Sequence, residues 1–396
     1  MEVRKEPSRV KQSAEQIGVD TRARQIITEL LQYADIEVNG PKPWDITVHN
    51  PDFYTRVIRD HSLGLGEAYM DGWWTSPQVD EFVSKTLEAK LDKKLKSSSN
   101  LLFQVMLTRL FNRQTRARSL EVADVHYNLD NDLYRLMLGP TMSYTCAYWK
   151  DASTLEQAQD NKHDLVCRKL RLGPQDTVLE LGCGWGGFAE YATKNYGCKM
   201  VSVNISTEQI KYAKERCKGL PVEFHLSDYR DCHNYNPNAI EFDKVVSIGM
   251  CEHVGYKNYG ALLDIVCKNL KKHGLFLLHT IGGNHKTTRC EPWTDKYIFP
   301  NGVLPSIQGL GAAMESDFVM EDWHNFGPNY DKTLMAWHDN FVKNWGQLKH
   351  KYDERFYRMW TYYLLSCAGM FRGRAAQLWQ VVMSKHGLPG GYESVR

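Results

Sequence analysis

The sequence contains no Cys-x-x-Cys pair, although it has 10 cysteines in 396 residues. Their scatter, from Cys146 through Cys167, Cys183 and Cys198 onward, fits neither a disulfide scaffold nor a zinc site. It reads as free thiols in a reducing cytosol, with no metal centre expected. No apolar run approaches the roughly 20 residues that span a bilayer. Met1 to Gln16 are polar and basic without an apolar segment, so no secretory signal is expected. The net charge is only +2, which gives no global argument for a nucleic-acid partner. Apolar residues at 42% and charged residues at 24% instead describe a soluble globular protein. Its length is too great for one ordinary core, so two domains are expected.

Between Asp20 and Ala34, apolar Ile26, Ile27, Leu30, Leu31 and Ala34 recur at helical spacing, with Asp20 placed as a cap. A short strand is expected over Trp44 to His49. From Gly64 to Trp74, glycines and paired tryptophans predict a tight turn on a small core. Glu67 and Asp71 there serve either turn chemistry or a function. Lys93 to Asn100 is a linker by composition, basic and serine-rich. It leads into Leu101 to Arg118, apolar on one face and arginine-rich at its end. That pattern fits a helix lying on anionic lipid, and equally a packing helix whose arginines complement its own dipole. The domains expected are 1–92, a basic linker with amphipathic helix over 93–119, and 120–396.

From Thr177 the pattern alternates strand and helix. Strands are expected at Thr177 to Leu181, Lys199 to Val203, Val222 to Leu226, Lys244 to Ile248 and Leu275 to Thr280. Helices are expected at Phe188 to Asn195 and Thr207 to Lys218. This is the signature of a doubly wound α/β domain with a parallel sheet. After the first strand come Gly182, Gly184 and Gly186, which let the backbone turn sharply and approach a ligand. Glu180 precedes them. A carboxylate there would repel a pyrophosphate and favours the aminoacid portion of S-adenosylmethionine over NAD. The arrangement resembles motif I of class I methyltransferases. One departure is Asn204, which ends the second strand where many such enzymes carry an acid for the ribose hydroxyls.

His126 to Asp132, Tyr144 to Trp149, Gly249-Met-Cys-Glu-His-Val-Gly255, Leu278 to Gly282, Tyr297 to Gly302 and Asp322 to Gly327 carry a more specific signal. With Gly64 to Trp74 they resemble the bacterial two-domain cyclopropane-fatty-acyl-phospholipid synthases, from about Asp45 to Ser384. The related mycolic acid cyclopropane synthases resemble only the second part. The resemblance implies a Rossmann-like methyltransferase domain behind a small α/β N-terminal domain associated with lipid. It implies cofactor contacts from Tyr144, Thr145, Gly182, Gly184, Gly186, Asn204, Gln209 and Tyr229, beside Glu180. It also implies a bicarbonate ion contacted from Cys146, Glu252, His279, Ile281 and Tyr330. The expected substrate is an unsaturated phospholipid, reached peripherally at the inner face of the membrane by a cytoplasmic homodimer. Two differences stand out. Asp130 replaces a common glycine, costly if that glycine had positive φ, and Thr145 replaces serine.

The implied chemistry is coherent. An isolated alkene is a weak nucleophile and needs the sulfonium methyl at close range in a dry site. Attack leaves a carbocation, which a base must intercept before water does. On this reading Glu252 orients the anion, while His279 and Tyr330 donate hydrogen bonds. Rings such as Tyr144, Tyr148 and Trp149 would face the developing cation. Each residue also has a plainer role: Glu252 as helix-start chemistry, His279 as a strand-end residue, and Cys146 as a buried hydrophobe. Three other functions are compatible with parts of the sequence: methylation of amines or branching of lipids, lipid binding by a decayed methyltransferase, and NAD-dependent dehydrogenation.

Overall fold

The structure is a computed structural model that describes residues 9–91, 130–315 and 317–396, with side chains from residue 21 onward. The expected linker at 93–100 and helix at 101–118 lie outside the described residues. The N-terminal part comprises α1 (Arg9–Gln32), β1 (Thr47–Val48), α2 (Asp52–Met70), β2 (Trp74–Thr75) and α3 (Val79–Glu88). Three expectations need correction here. The first helix begins eleven residues before Asp20, which lies inside it; Val10, Ala14 and Ile17 continue the helical spacing upstream of that residue. The strand expected over Trp44 to His49 shrinks to two residues, paired antiparallel with β2. The glycines of the Gly64 segment sit in the second half of α2, and the turn comes only at Asp71 and Gly72. Gly66 is there for space, because a Cβ would lie 2.4 Å from the Trp293 ring.

Glu67 and Asp71 are structural. Glu67 accepts from Arg56 at 2.8 Å, Lys296 at 2.6 Å and the Tyr297 hydroxyl at 2.8 Å. Asp71 pairs with Arg56 and Arg355. Both carboxylates therefore tie the N-terminal part to the rest of the chain.

The catalytic half is built on α4 (Asn131–Leu138), α5 (Leu155–Leu170), β3 (Thr177–Leu181), α6 (Gly187–Tyr196), β4 (Lys199–Asn204), α7 (Thr207–Arg216), β5 (Val222–Leu226), α8 (Cys232–Tyr235), β6 (Phe242–Ile248), α9 (Cys251–Val254), α10 (Tyr259–Asn269), β7 (Leu270–Gly283), α11 (Pro292–Tyr297), α12 (Ile307–Met314), β8 (Phe318–Asn325), α13 (Pro328–Leu348), α14 (Glu354–Arg372) and β9 (Ala376–Lys385). The strands form one seven-stranded sheet ordered β5-β4-β3-β6-β7-β9-β8. β5 through β7 are mutually parallel, and β9 runs antiparallel between β7 and β8. The sheet is thus mixed rather than purely parallel. After β8 the chain runs into two long helices, α13 and α14, before returning as β9.

Helices cover both faces of the sheet, so the inner positions of β3, β4 and β6 are buried. Val178, Leu179, Leu181, Val203, Val245 and Val246 are apolar, while Glu180, Ser202 and Ser247 are buried polar residues among them. Two of the buried clusters flank the sheet. The third is shared: Phe53, Trp74 and Phe82 from the N-terminal part pack with Trp360, Tyr362 and Phe371 of α14. The two parts therefore share one core. Asp130 needs no positive φ. It sits at φ −52°, caps α4 by accepting from the Asp132 amide at 2.8 Å, and pairs with Lys351. Among the described residues, no helix is long and apolar enough to cross a membrane, and no cluster of His, Cys, Asp or Glu would hold a metal.

Candidate active site

Chain direction in the sheet reverses its winding at β3, with β4 on one side and β6 on the other, so a crevice opens beyond their carboxyl ends. A cavity of about 160 Å³ occupies it. Tyr144, Thr145, Glu180, Gly182, Gly184, Asn204, Gln209 and Tyr229 all line it. Gly186 does not. It sits at the start of α6 with φ +80°, where a Cβ would press on Ala213 at 3.0 Å. Gly184 has φ +51° and nothing within 4 Å of a would-be Cβ, so its missing side chain leaves room in the cavity itself. Asn204 donates to Gln209 Oε1 at 2.8 Å and keeps its own oxygen on the Ser206 amide at 3.2 Å.

Glu180 is buried, and Ser202 donates to its Oε2 at 2.7 Å. Burial pushes its carboxyl up to about 7, against the opposing effects of Ser202 and Lys162. Lys162, missed from the sequence, is 1% exposed and donates from Nζ to Thr145 Oγ1 at 3.0 Å. Burial lowers its ammonium to about 7. A signal for it existed: Gln159, Lys162, His163 and Val166 share one face of α5 with the buried Ala158 and Leu165. Gln159 uses that position to donate to the carbonyls of Ser143 and Thr145 at 3.2 and 2.9 Å.

Next to the cavity lies the group expected to hold an anion. Glu252 stands on the short α9 after β6, and its Oε1 accepts the Ile281 amide at 2.7 Å. Ile281 thus contributes its backbone, as a side chain of that type requires. His279 lies within β7, four residues before its end, opposite Ile248 at the last position of β6. Its carbonyl accepts from the Gly249 amide at 2.9 Å, which fixes β7 against the β6–α9 turn. Glu252 Oε2 and His279 Nε2 are both buried without a hydrogen-bond partner. They are two of several such atoms among the described residues, and the Ile281–Glu252 and Gly249–His279 hydrogen bonds join the segments that carry them, so both are available to a ligand there.

The pKa directions suit such a site. Burial pushes the Glu252 carboxyl up to about 7, opposed by the Ile281 amide. Burial, reinforced by Lys162 and Lys169, holds His279 neutral. Burial, with the neighbouring Cys146 and Glu252, keeps the Tyr330 phenol protonated. Burial likewise pushes the Cys146 thiol well up, so it stays protonated at neutral pH.

Helix α13 positions the opposite wall. Thr333 and Asn329 in its first turns accept from Ala147, Trp149 Nε1 and the Trp149 amide at 3.1, 2.9 and 2.7 Å. Tyr330, between them, stacks on Phe371 with ring centroids 4.6 Å apart. The three rings expected near the cation separate. Tyr144 lines the cavity and donates to the Tyr363 hydroxyl at 2.8 Å. Tyr148 packs on His324 and Phe326, and Trp149 is held on Thr333.

The profile of the family described as mycolic acid cyclopropane synthetase matches residues 114–381. The chain belongs to this family. Cyclopropane-fatty-acyl-phospholipid synthase of Escherichia coli K12 is 50% identical over 383 residues, covering 96% of this chain and 98% of that protein. The solved cyclopropane synthase MmaA2 from Mycobacterium tuberculosis is 27% identical, with TM-score 0.62, over 67% of this chain and 98% of its own. The mycolic acid cyclopropane synthase CmaA1 complexed with SAH and CTAB is 31% identical, with TM-score 0.61, over the same shares. The fold is that of class I S-adenosylmethionine methyltransferases, and as a member of its family the chain is such an enzyme.

Two glycines separate cofactor space from fold. Gly184→Ala adds a methyl in the open cavity and costs about 1 kcal/mol of backbone strain, so calorimetry should report cofactor affinity at least about tenfold lower in a folded protein. Gly282→Ala would place a Cβ 2.3 Å from the Trp379 ring inside the sheet. It should instead lower thermal stability, by about 1–3 kcal/mol.

Cofactor binding should also depend on pH. A cationic ligand beside Glu180 favours its ionised form, and burial sets that carboxyl at about 7. Protonating Glu180 and charging Lys162 act in the same direction as pH falls. Titration calorimetry should find S-adenosylmethionine affinity falling below pH 7 by up to about tenfold per pH unit from Glu180 alone, a contribution that Glu180→Gln should remove.

Proposed function

We propose that this enzyme transfers a methylene from S-adenosylmethionine to the cis double bond of an unsaturated phospholipid acyl chain, forming a cyclopropane ring. The observation that carries the reading is the pair of orphaned buried atoms, Glu252 Oε2 and His279 Nε2, beside the cofactor cavity. A methyl transfer to an amine needs no such site, whereas a carbocation on an acyl chain needs a proton acceptor in a place without water.

The residues fit the two groups the family implies. The glycine loop, Glu180, Asn204, Gln209 and Tyr229 would hold S-adenosylmethionine; Glu252, His279, Tyr330, Cys146 and the Ile281 backbone would surround bicarbonate. When bound, the first supplies an electrophilic methyl and the second a base for the methyl proton. Tyr330 and His279 each offer a hydrogen-bond donor, and Glu252 an acceptor, which matches an anion with acceptor oxygens and one acidic proton. Glu252 Oε2 would be the acceptor for that acidic proton. The walls exclude water: Tyr144 meets Tyr134 and Trp337 at centroid distances of 5.3 and 5.2 Å. Its ring face stabilises developing positive charge by roughly 0.5–2 kcal/mol.

The lipid is reached from the water side by a peripheral enzyme at the inner membrane face, through the N-terminal domain, and the assembly is a homodimer. The test is incubation with S-adenosylmethionine, bicarbonate and liposomes of cis-unsaturated phospholipid, followed by mass and olefin-proton analysis of the acyl chains. A gain of one methylene with loss of the olefin signal is expected. A gain with the alkene retained would replace cyclopropanation by methyl branching.

A further inference from the structure

Strands β7, β9 and β8 lie side by side, and their register sets His279 opposite Gln380 and Gln380 opposite His324. Directly opposed residues share a sheet face, so a polar row crosses the sheet at the level of the active site. His279 and Gln380 are 1% and 0% exposed. Nothing in the proposed chemistry calls for Gln380, yet an apolar side chain would be the default in such a position.

Gln380 Nε2 lies 3.2 Å from His279 Nδ1. An amide nitrogen can only donate, so Nδ1 is the acceptor and the ring proton belongs on Nε2. Nε2 is the atom left without a partner. We propose that Gln380 is a positioning residue that holds His279 in its Nε2–H tautomer and so aims an N–H at the anion site. The inference rests on the reading of His279 as a donor to that anion. Because the ring is neutral, the tautomer decides what it offers. In the other form a lone pair would face the anion and repel it. Second-shell partners act in this way on metal-bound histidines, by fixing which nitrogen carries the proton.

The far end of the row is anchored. Lys169 Nζ lies 3.1 Å from His324 Nδ1 and 3.4 Å from Asp322, which also holds Arg396. These contacts hold His324, the neighbour of Gln380 on one side, while Gln380 Oε1 is itself buried without a partner. If the amide were turned over, its oxygen would meet Nδ1 and draw the proton there, and this is the alternative to be separated.

The experiment is nitrogen NMR of isotope-labelled histidines in the intact cofactor-free enzyme, with His279 assigned against His279→Asn. The proposal expects the proton on Nε2 in the wild type and a population with it on Nδ1 in Gln380→Met. That variant should keep its S-adenosylmethionine affinity, since Gln380 does not line the cofactor cavity, and lose about 10- to 100-fold in kcat. A wild-type ring protonated on Nδ1 would overturn the proposal, as would an unchanged tautomer in Gln380→Met. A displaced tautomer with unchanged kcat would overturn it through the anion-donor role of His279, while leaving the hydrogen bond to Gln380 intact.

Discussion

Glu252→Gln lowers turnover by about 10²- to 10⁴-fold, the range expected when proton transfer loses its positioned partner, and leaves cofactor affinity unchanged. Glutamine can still accept the Ile281 amide at the position of Oε1. What it loses is the acceptor at Oε2, replaced by an amide that donates toward the anion's acidic proton. Glu252 does not line the cofactor cavity, so steady-state kinetics should place the loss in kcat. Wild-type turnover should itself fall as pH drops below the value of about 7 to which burial pushes this carboxyl.

The same substitution carries a stability signature of definite sign. A carboxyl whose folded pKa is raised contributes stability that is fully present below its unfolded value and lost as pH rises through the folded one. For Glu252 that window runs from 4.5 to about 7, a loss on the order of 3 kcal/mol in the cofactor-free enzyme. Glu252→Gln escapes it. Thermal denaturation should show the variant gaining on the wild type between pH 5 and pH 8.

Gly369→Val should cost at least about 3 kcal/mol, the upper part of the range for overpacked interiors. A Cβ at this position of α14 would sit 2.2 Å from the Asp80 carbonyl and 3.0 Å from the Ser84 amide, both backbone atoms of α3. Rotamer changes cannot relieve such contacts, so the two helices would have to part. Nearby, Arg372 bridges Asp80 at 2.5 Å and Asp331 at 2.9 Å, and it would lose one side of that link. The damage should reach the site, because α14 also carries Phe371 against Tyr330 and Tyr363 against Tyr144. Turnover on liposomes should therefore fall together with the melting temperature. Gly346→Ala is the control: nothing lies within 4 Å of its Cβ, and a helical glycine exposed to water gains up to about 1 kcal/mol on replacement.

The sheet was legible where local chemistry and burial agree. Thr177 to Leu181 is a short, mostly apolar run and Val222 to Leu226 alternates apolar with polar residues; both lie between turn residues and both form strands with those bounds. The glycine loop and Glu252 were legible because each sits at a strand-to-helix turn, where parallel sheets expose functional groups. β9 escaped notice because it is buried on both faces between antiparallel neighbours, which removes the alternation that marks a strand. Lys162 and Gln380 escaped for a related reason. Each is a polar residue at a position that apolar spacing assigns to the core, and only the assembled fold shows which buried atoms it serves. The Gly64 segment misled because glycine reads as a turn residue, whereas Gly66 makes room for Trp293 from a distant part of the chain.

The central claim is that a proton leaves the transferred methyl group before the ring closes. Supplying S-adenosylmethionine with a trideuterated methyl group, together with bicarbonate and cis-unsaturated liposomes, tests it in one mass measurement on the released acyl chains. The account predicts that each converted chain retains two deuterium atoms and has no double bond. Retention of all three would mean that the methyl is delivered intact, and would contradict a role for Glu252, His279 and Tyr330 around a base.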